Sequence, residues 1–202
     1  MELTQNQIAL RGTLESVPAF SHENHGRRFY RFLLAVERLS GTSDILPVLA
    51  GEDVLTECEL YEAKRLEIKG QIRSFNNKAP TGRKLIVCVY AQSIRPTDDE
   101  FQNEVFLCGT ICREPVFRRT PLGREICDVM LAVNRPYHRA DYIPCILWGK
   151  LAQEASRLHA GTKLSLSGRM QSRTYIKILD SGSEQRETYE VSVSDAEIEE
   201  DY

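Results

Sequence analysis

Nowhere does the chain run 18 uncharged apolar residues together, so no membrane-spanning helix is expected. Its first residues, Met1-Glu2-Leu3-Thr4-Gln5-Asn6, carry neither the basic nor the apolar region of a signal peptide. A cytoplasmic location without a membrane partner is the expectation. Histidine is scarce, and the four present (His22, His25, His138, His159) fall in no metal-binding or catalytic motif. A Walker loop, a nucleophile elbow, a metal-binding helix and a kinase signature are all missing. Acids such as Asp128 and Asp141 are isolated on strands, where they more often make loop hydrogen bonds than catalytic pairs. A binding protein rather than an enzyme is therefore expected, with no cofactor and no metal. Aromatic residues make up only 8% of the chain, and Trp148 is its one tryptophan, so any role for an indole falls on a single position. With no secretory leader, the six cysteines (Cys58, Cys88, Cys108, Cys112, Cys127, Cys145) read as reduced, mostly buried small side chains rather than a disulfide framework. Cys108-x3-Cys112 has no second pair at zinc-ribbon spacing.

What is present is a chain of 202 residues and 23.0 kDa, 42% hydrophobic and 27% charged, a composition that suits two globular domains of about 100 residues each. The net charge is −3, but Asp195, Glu197, Glu199, Glu200 and Asp201 crowd the last eight residues. They conceal a more basic body: residues 103–194 hold thirteen Lys and Arg against ten Asp and Glu.

Laid on itself at an offset of 97, the chain repeats. Asn6, Leu10, Gly12 and Thr13 fall on Asn103, Leu107, Gly109 and Thr110; Pro18, Phe20, Gly26 and Arg27 on Pro115, Phe117, Gly123 and Arg124. Leu34-Ala35-Val36 and Arg38 meet Leu131-Ala132-Val133 and Arg135, and Asp44 and Pro47 meet Asp141 and Pro144. Residues 6–47 give fourteen identities in 42 positions without a gap, where ordinary composition would give about two or three. Further on, Leu66-Glu-Ile-Lys-Gly70 matches Leu164-Ser-Leu-Ser-Gly168 at an offset of 98. The polar segment at Pro96-Thr97-Asp98-Asp99-Glu100 marks the boundary. The domains are therefore expected at 1–96 and 103–202, joined by a linker at 97–102.

Within each half, alternation predicts strand, strand, strand, helix, strand, strand. In the second half Val105 and Leu107, then Val129, Leu131 and Val133, then Ile143, Cys145 and Leu147 form the core faces of the first three strands. A helix over 149–160 places Leu151, Ala155 and Leu158 on one stripe, with Gly161 as its stop; its counterpart is expected at about 52–65. Strands follow near 163–173 and 187–196, echoed at 66–74 and 83–95. Five strands with one helix between the third and fourth is the order of an OB-fold barrel, so the architecture is all-β, two tandem OB-fold five-stranded barrels with one short helix each.

Period 2 divides the third strand of the second half, Asp141-Tyr-Ile-Pro-Cys-Ile-Leu-Trp148, into a core face and an outer face of Tyr142, Pro144, Ile146 and Trp148. Tyr142 and Trp148 then lie roughly 20 Å apart on one side, a spacing that suits bases stacked on rings. Packing of Trp148 against the adjacent helix, or in an interface between the barrels, satisfies the same pattern. Phosphates also need cations, and Arg124, Arg135, Arg139, Lys150, Arg169, Arg173 and Lys177 lie on or beside the strands bordering that face, with Tyr137 on the connection before it. Ordinary solvated strand edges account for such side chains equally well.

Four ordered segments carry a family resemblance: Asn103-Glu-Val-Phe-Leu-Cys-Gly109, Leu131-Ala-Val-Asn-Arg-Pro136, Asp141-Tyr-Ile-Pro-Cys-Ile-Leu-Trp-Gly-Lys150 and Gly168-Arg-Met-Gln-Ser-Arg-Thr-Tyr175. Over about 103–198 the chain resembles the bacterial single-stranded DNA-binding proteins. The resemblance implies that Tyr142, Trp148 and Tyr175 stack on bases and that Lys150 and Arg173 approach phosphates. It also implies an assembly of four OB-folds, for which a chain with two needs only to form a homodimer, while a monomer whose two barrels pack against each other satisfies the same pattern. Roles in DNA replication, repair or recombination follow from the same likeness. The first half resembles the family through Asn6-Gln-Ile-Ala-Leu-Arg-Gly12 and Leu34-Ala-Val-Glu-Arg38, yet Ile45 stands where Tyr142 does and Gly51 where Trp148 does. Its possible contributions reduce to Arg28, Arg38, Arg73, Phe75, Lys78, Arg83 and Lys84, and it is expected to be a structural or weakly binding partner. Ile198-Glu-Glu-Asp-Tyr202 is acidic with a terminal aromatic, a feature that in the family recruits replication or repair proteins, but it follows the last strand with no long linker. The expected function is sequence-independent binding and protection of single-stranded DNA. The competing expectation is a mediator or assembly protein that keeps the OB scaffold for protein contacts and binds DNA weakly; RNA remains a possible ligand because OB-folds accept either polymer.

Overall fold

A computed structural model of the chain describes residues 5–55, 59–77, 85–179 and 182–199. Cys58, Lys78, Arg83, Lys84 and the tip Glu200-Asp201-Tyr202 lie outside the described residues. The first half runs β1 (Asn6–Leu14), β2 (Ala19–Asn24), β3 (Arg27–Glu37), β4 (Ser43–Gly51), α1 (Glu52–Leu55), β5 (Arg65–Asn76) and β6 (Leu85–Pro96). The second runs β7 (Gln102–Ile111), β8 (Val116–Arg119), β9 (Glu125–Arg135), β10 (Arg139–Trp148), α2 (Gly149–Ala155), β11 (Lys163–Leu179) and β12 (Gly182–Ile198). Neither helix is long and apolar enough to cross a membrane.

Alternation puts Leu10, Leu34, Val36, Leu46 and Val48 inside the first barrel and Leu107, Leu131, Val133, Ile143 and Cys145 inside the second, all buried. Parallel pairing closes each barrel, Val48 opposite Val89 on β4 and β6, and Cys145 opposite Val191 on β10 and β12. The halves are then joined into one twelve-stranded sheet by antiparallel pairing of β1 with β7, from Asn6 opposite Leu107 to Arg11 opposite Gln102. All five described cysteines are free thiols.

The repeated asparagines have a structural task. Asn6 donates from Nδ2 to the Ile72 carbonyl (2.7 Å) and accepts the Ile72 N–H at Oδ1 (2.8 Å); Asn103 does the same with Met170 at 2.7 and 2.9 Å. Each side chain satisfies a backbone donor and acceptor that β5 or β11 leaves open at that level.

Three features differ from the expectation. Each half has an additional short strand, β2 or β8, forming a hairpin with β3 or β9. Both are exposed along their whole length, so they carry no alternation to read. The hairpins turn on Gly26 and Gly123, at φ 73° and 78°, where an L side chain is disfavoured. The helices are shorter than 52–65 and 149–160. After α1, the Ala63 N–H donates to the Leu14 carbonyl and Leu14 donates to Lys64, while after α2 the Gly161 N–H donates to Ile111 and Ile111 donates to Thr162. In the first half the end of β1 thus claims part of the segment assigned to the helix; in the second the matching bonds fall just past residue 160, and α2 gives way after Ala155 to tighter turns in which the Arg157 and Leu158 N–H groups donate to Glu154 and Ala155. Finally, β11 and β12 extend beyond the barrel as a long hairpin paired from Leu164–Ile198 to Leu179–Gly182.

Candidate nucleic-acid interface

The strand β10 pairs with β9 at every residue from Arg139 to Trp148, so its two faces are fixed as period 2 predicts. Ile143, Cys145 and Leu147 are buried in the core, and Tyr142, Pro144, Ile146 and Trp148 point outward. Along that face Tyr142 is 44% exposed and Trp148 half-buried, while Ile146 between them is buried. Trp148 precedes the first turn of α2 in extended conformation, and its Nε1–H donates to Ser192 Oγ on β12 at 3.0 Å. That bond satisfies the indole's one polar group and holds the ring to the strand beside it. Across the sheet at this level the order is Arg118 on β8, Ile126 on β9, then Trp148 on β10.

Arg118, which sequence reasoning missed, binds Asp128 with Nε at 2.5 Å and Nη2 at 3.1 Å. These bonds hold its guanidinium above the usual arginine pKa. The repeat offered no signal for it, because Ser21 occupies the matching place. Glu190, also unforeseen, is buried beside Trp148's partner strand position and accepts from Gln171 Nε2 (2.9 Å) and from Arg173 Nε (3.2 Å) and Nη2 (3.3 Å).

The remaining sequence candidates divide among three places. At the far end of β10 from Trp148, Tyr137 is 91% exposed on the turn between β9 and β10, with Arg139 exposed at the strand's start. On the long hairpin, Tyr175 pairs with Arg186, whose guanidinium Glu184 holds above its ordinary pKa. Nearer Trp148, Arg124 is exposed on the β8–β9 turn and Lys150 on α2, 3.5 Å from Glu154. Tyr142 and Trp148 share one face of one strand; Tyr137, Tyr175 and the cations are spread around it.

Four arginines lie elsewhere than on the outer face of β10, at the junction between barrels. Asp44 and Asp141 are wholly buried. Asp141 accepts from Arg73 Nη1 (3.0 Å) and the Ser74 N–H (2.7 Å) and pairs with Arg135 at 3.4 Å. Asp44 accepts from Arg38 Nε (2.7 Å), Arg169 Nη1 (3.2 Å) and the Ser172 N–H (2.9 Å). Each carboxylate thus takes one arginine from its own barrel and one arginine plus a backbone N–H from the other. Burial lowers the Arg169 pKa, and the charge of Arg38 on the same carboxylate lowers it further. Arg38, Arg73, Arg135 and Arg169 therefore hold the barrels together, because a buried carboxylate must be paired. The Tyr142 N–H donates to Ser74 Oγ at 2.7 Å, which places that end of the face beside the same junction.

The profile of the Single-strand binding protein family matches residues 102–199. Single-stranded DNA-binding protein B of Bacillus subtilis is 38% identical over 80 residues, which span 36% of this chain and 71% of that protein. The chain belongs to the single-strand binding protein family. A single-stranded DNA-binding protein of Halalkalibacterium halodurans is 39% identical over 80 residues, 36% of this chain and 48% of that one, so the chain spans about half the length of several single-strand binding proteins it matches. The fold likeness reaches further than the sequence match. A deletion mutant of the single-stranded DNA binding protein from Thermus aquaticus superposes with a TM-score of 0.77 at 25% identity, covering 98% of this chain and 96% of that one. The wild-type form gives 0.80 at 24% identity, which speaks for the fold alone. Within this member of the single-strand binding family, the first half shares the barrel but lies outside the matched profile.

Proposed function

We propose that the chain binds single-stranded DNA without sequence preference and performs no chemistry on it. The observation that carries this reading is the outer face of β10, where Tyr142 and the Ser192-anchored Trp148 lie on the same side of one strand within the part of the chain that matches the family. A fixed, half-exposed indole stacks on any base, since every base has a π-face, and each such contact is worth about 1–3 kcal/mol. Arg118, Arg124, Lys150 and Arg173 border the face and would track phosphates; Arg118 and Arg173 must exchange Asp128 and Glu190 for them. Tyr137, Arg139 and Tyr175 extend the path along the β9–β10 turn and the long hairpin. Arg38, Arg73, Arg135 and Arg169 serve the path only from behind, by fixing one barrel against the other. With two barrels per chain, a homodimer would bring four; sedimentation equilibrium measures that directly.

Trp148 being unique, titration of its fluorescence with dT oligonucleotides of increasing length tests the reading. Quenching that saturates at a defined length, with an affinity that falls with salt at about −0.7 per phosphate neutralised, is expected. Flat fluorescence together with no gel shift would overturn it and favour the mediator role, a role that the consumption of four arginines in barrel–barrel contacts supports.

A further inference from the structure

The repeat puts Gly51 where the second barrel has Trp148, which by itself reads as a stacking site lost. The space over Gly51 is nevertheless occupied. A Cβ added there would lie 2.5 Å from Arg27 Nη2, 2.7 Å from Arg27 Nε and 2.5 Å from Asp53 Oδ1. Phe29 is directly opposite Gly51 on β3, and Tyr90 is on the other neighbouring strand, opposite Leu49. Phe29, as the direct pair of Gly51, shares its outer face, and Tyr90 points outward between buried Val89 and Ala91; the two ring centroids are 6.4 Å apart. His22 stacks on Phe29 at 5.0 Å and 12°. Arg27 lies over Phe29 at 5.3 Å and Arg73 over Tyr90 at 5.6 Å.

The same three strand positions in the second barrel are Ile126 opposite Trp148, and Ser192 opposite Ile146. There the ring is central and its flanks are aliphatic or small; here the centre is empty of side chain and the flanks are rings. One further position is inverted: Asp53 stands where the second barrel has Lys150. Its carboxylate takes Arg27 Nη2 at 2.6 and 2.8 Å and Nε at 3.1 Å, across the mouth of the aromatic row. Arg27 is 43% and Asp53 64% exposed, so water screens the pair and an incoming anion can compete for the guanidinium.

We infer that the first barrel carries a second single-strand platform, built from Phe29, Tyr90 and His22 around Gly51, on which Asp53 holds Arg27 until a phosphate of the bound strand replaces it. This rests on the reading that the second barrel binds single-stranded DNA. Every phosphate taken by Arg27 releases the Asp53 charge into the site, so the first platform fills after the second and needs longer oligonucleotides.

The test uses the full chain and dT oligomers, with Trp148 quenching reporting the second barrel and occluded length per chain reporting both. Phe29→Leu with Tyr90→Leu keeps apolar volume and removes stacking. It is expected to shorten the occluded length and weaken binding of long oligomers by roughly ten- to hundredfold, with quenching by short oligomers intact. Asp53→Asn is expected to tighten long-oligomer binding and steepen its salt dependence by about 0.7. If quenching is intact in the double variant and occluded length and long-oligomer affinity match those of the unsubstituted chain, the first-barrel platform is overturned alone. If the unsubstituted chain shows no quenching and no binding, the second-barrel reading falls and this one with it.

Discussion

The two barrels agree where the chain must fold and differ where a ligand would lie. Asn6 and Asn103 close the same gap beside β5 and β11, Asp44 and Asp141 each bind the arginine at the matching repeat position (Arg38, Arg135) and the N–H of the matching serine across the junction (Ser172, Ser74), and Leu34 and Leu131 fill the same core position. On the outer face the correspondence reverses. Isoleucine, tryptophan and serine run across the second barrel at the level where phenylalanine, glycine and tyrosine run across the first, and Lys150 meets Asp53. A duplicated fold keeps positions whose partners are buried, since changing one leaves an unpaired group or a void. Outer rows are free to exchange because a ring moved to the adjacent strand still fills the same surface.

The largest expected effects test the shared half of that comparison. Asp44→Ala and Asp141→Ala should each destabilise the chain by about 3–5 kcal/mol, because each strands two arginines at a buried site. Urea unfolding measures both; a large loss for one and a small loss for the other would break the two-fold likeness of the junction. Next comes the difference at the outer face. Trp148→Ala should cost about 1–3 kcal/mol of affinity for short dT oligomers, read by fluorescence anisotropy of labelled DNA, and an unchanged affinity would remove the central-ring pattern from the binding surface. A smaller effect attends the indole's anchor. Ser192→Ala should cost about 0.5–1.5 kcal/mol of stability and shift Trp148 emission, whereas unaltered emission would mean that Ser192 does not set the ring's position.

The smallest effect concerns thiols. Cys88 faces Arg73 across the β5–β6 pair, as Glu190 faces Gln171 across β11 and β12. Burial pushes the Cys88 thiol up to about 12. A thiol with so high a pKa stays protonated at pH 8 and reacts slowly, while Cys112 is exposed. Maleimide labelling at pH 8 with peptide mapping should modify Cys112 well before Cys88; equal rates would show that the first barrel opens at β5 and β6.

Much of the fold was legible because its signals are local or repeated. Alternation in Val129, Leu131 and Val133 and in Ile143, Cys145 and Leu147 placed the core strands, and the offset of 97 carried that reading into the first half. The outer face of β10 followed from the same period. The short strands β2 and β8 escaped because a wholly exposed strand shows no alternation; the first helix was overestimated because Ala63 and Lys64 bond to Leu14, distant in sequence, and the second because its last turns tighten after Ala155 while keeping the apolar spacing. For the site, Arg38, Arg73, Arg135 and Arg169 looked like phosphate contacts because strand position cannot reveal the buried carboxylates between the barrels, Asp44 for Arg38 and Arg169, Asp141 for Arg73 and Arg135. Arg118 and Glu190 were missed for the complementary reason, since their importance lies in neighbours across strands.

By itself the sequence determined that this chain is a duplicated β-barrel with one indole on an outward strand face, since period and repeat are properties of residue order. Tertiary structure alone decided which charges are spent and which are available. A carboxylate 68 residues from Arg73 in sequence lies 3.0 Å from it in space, and the energy of such a pair depends on distance and burial, neither of which is written in the order of the residues.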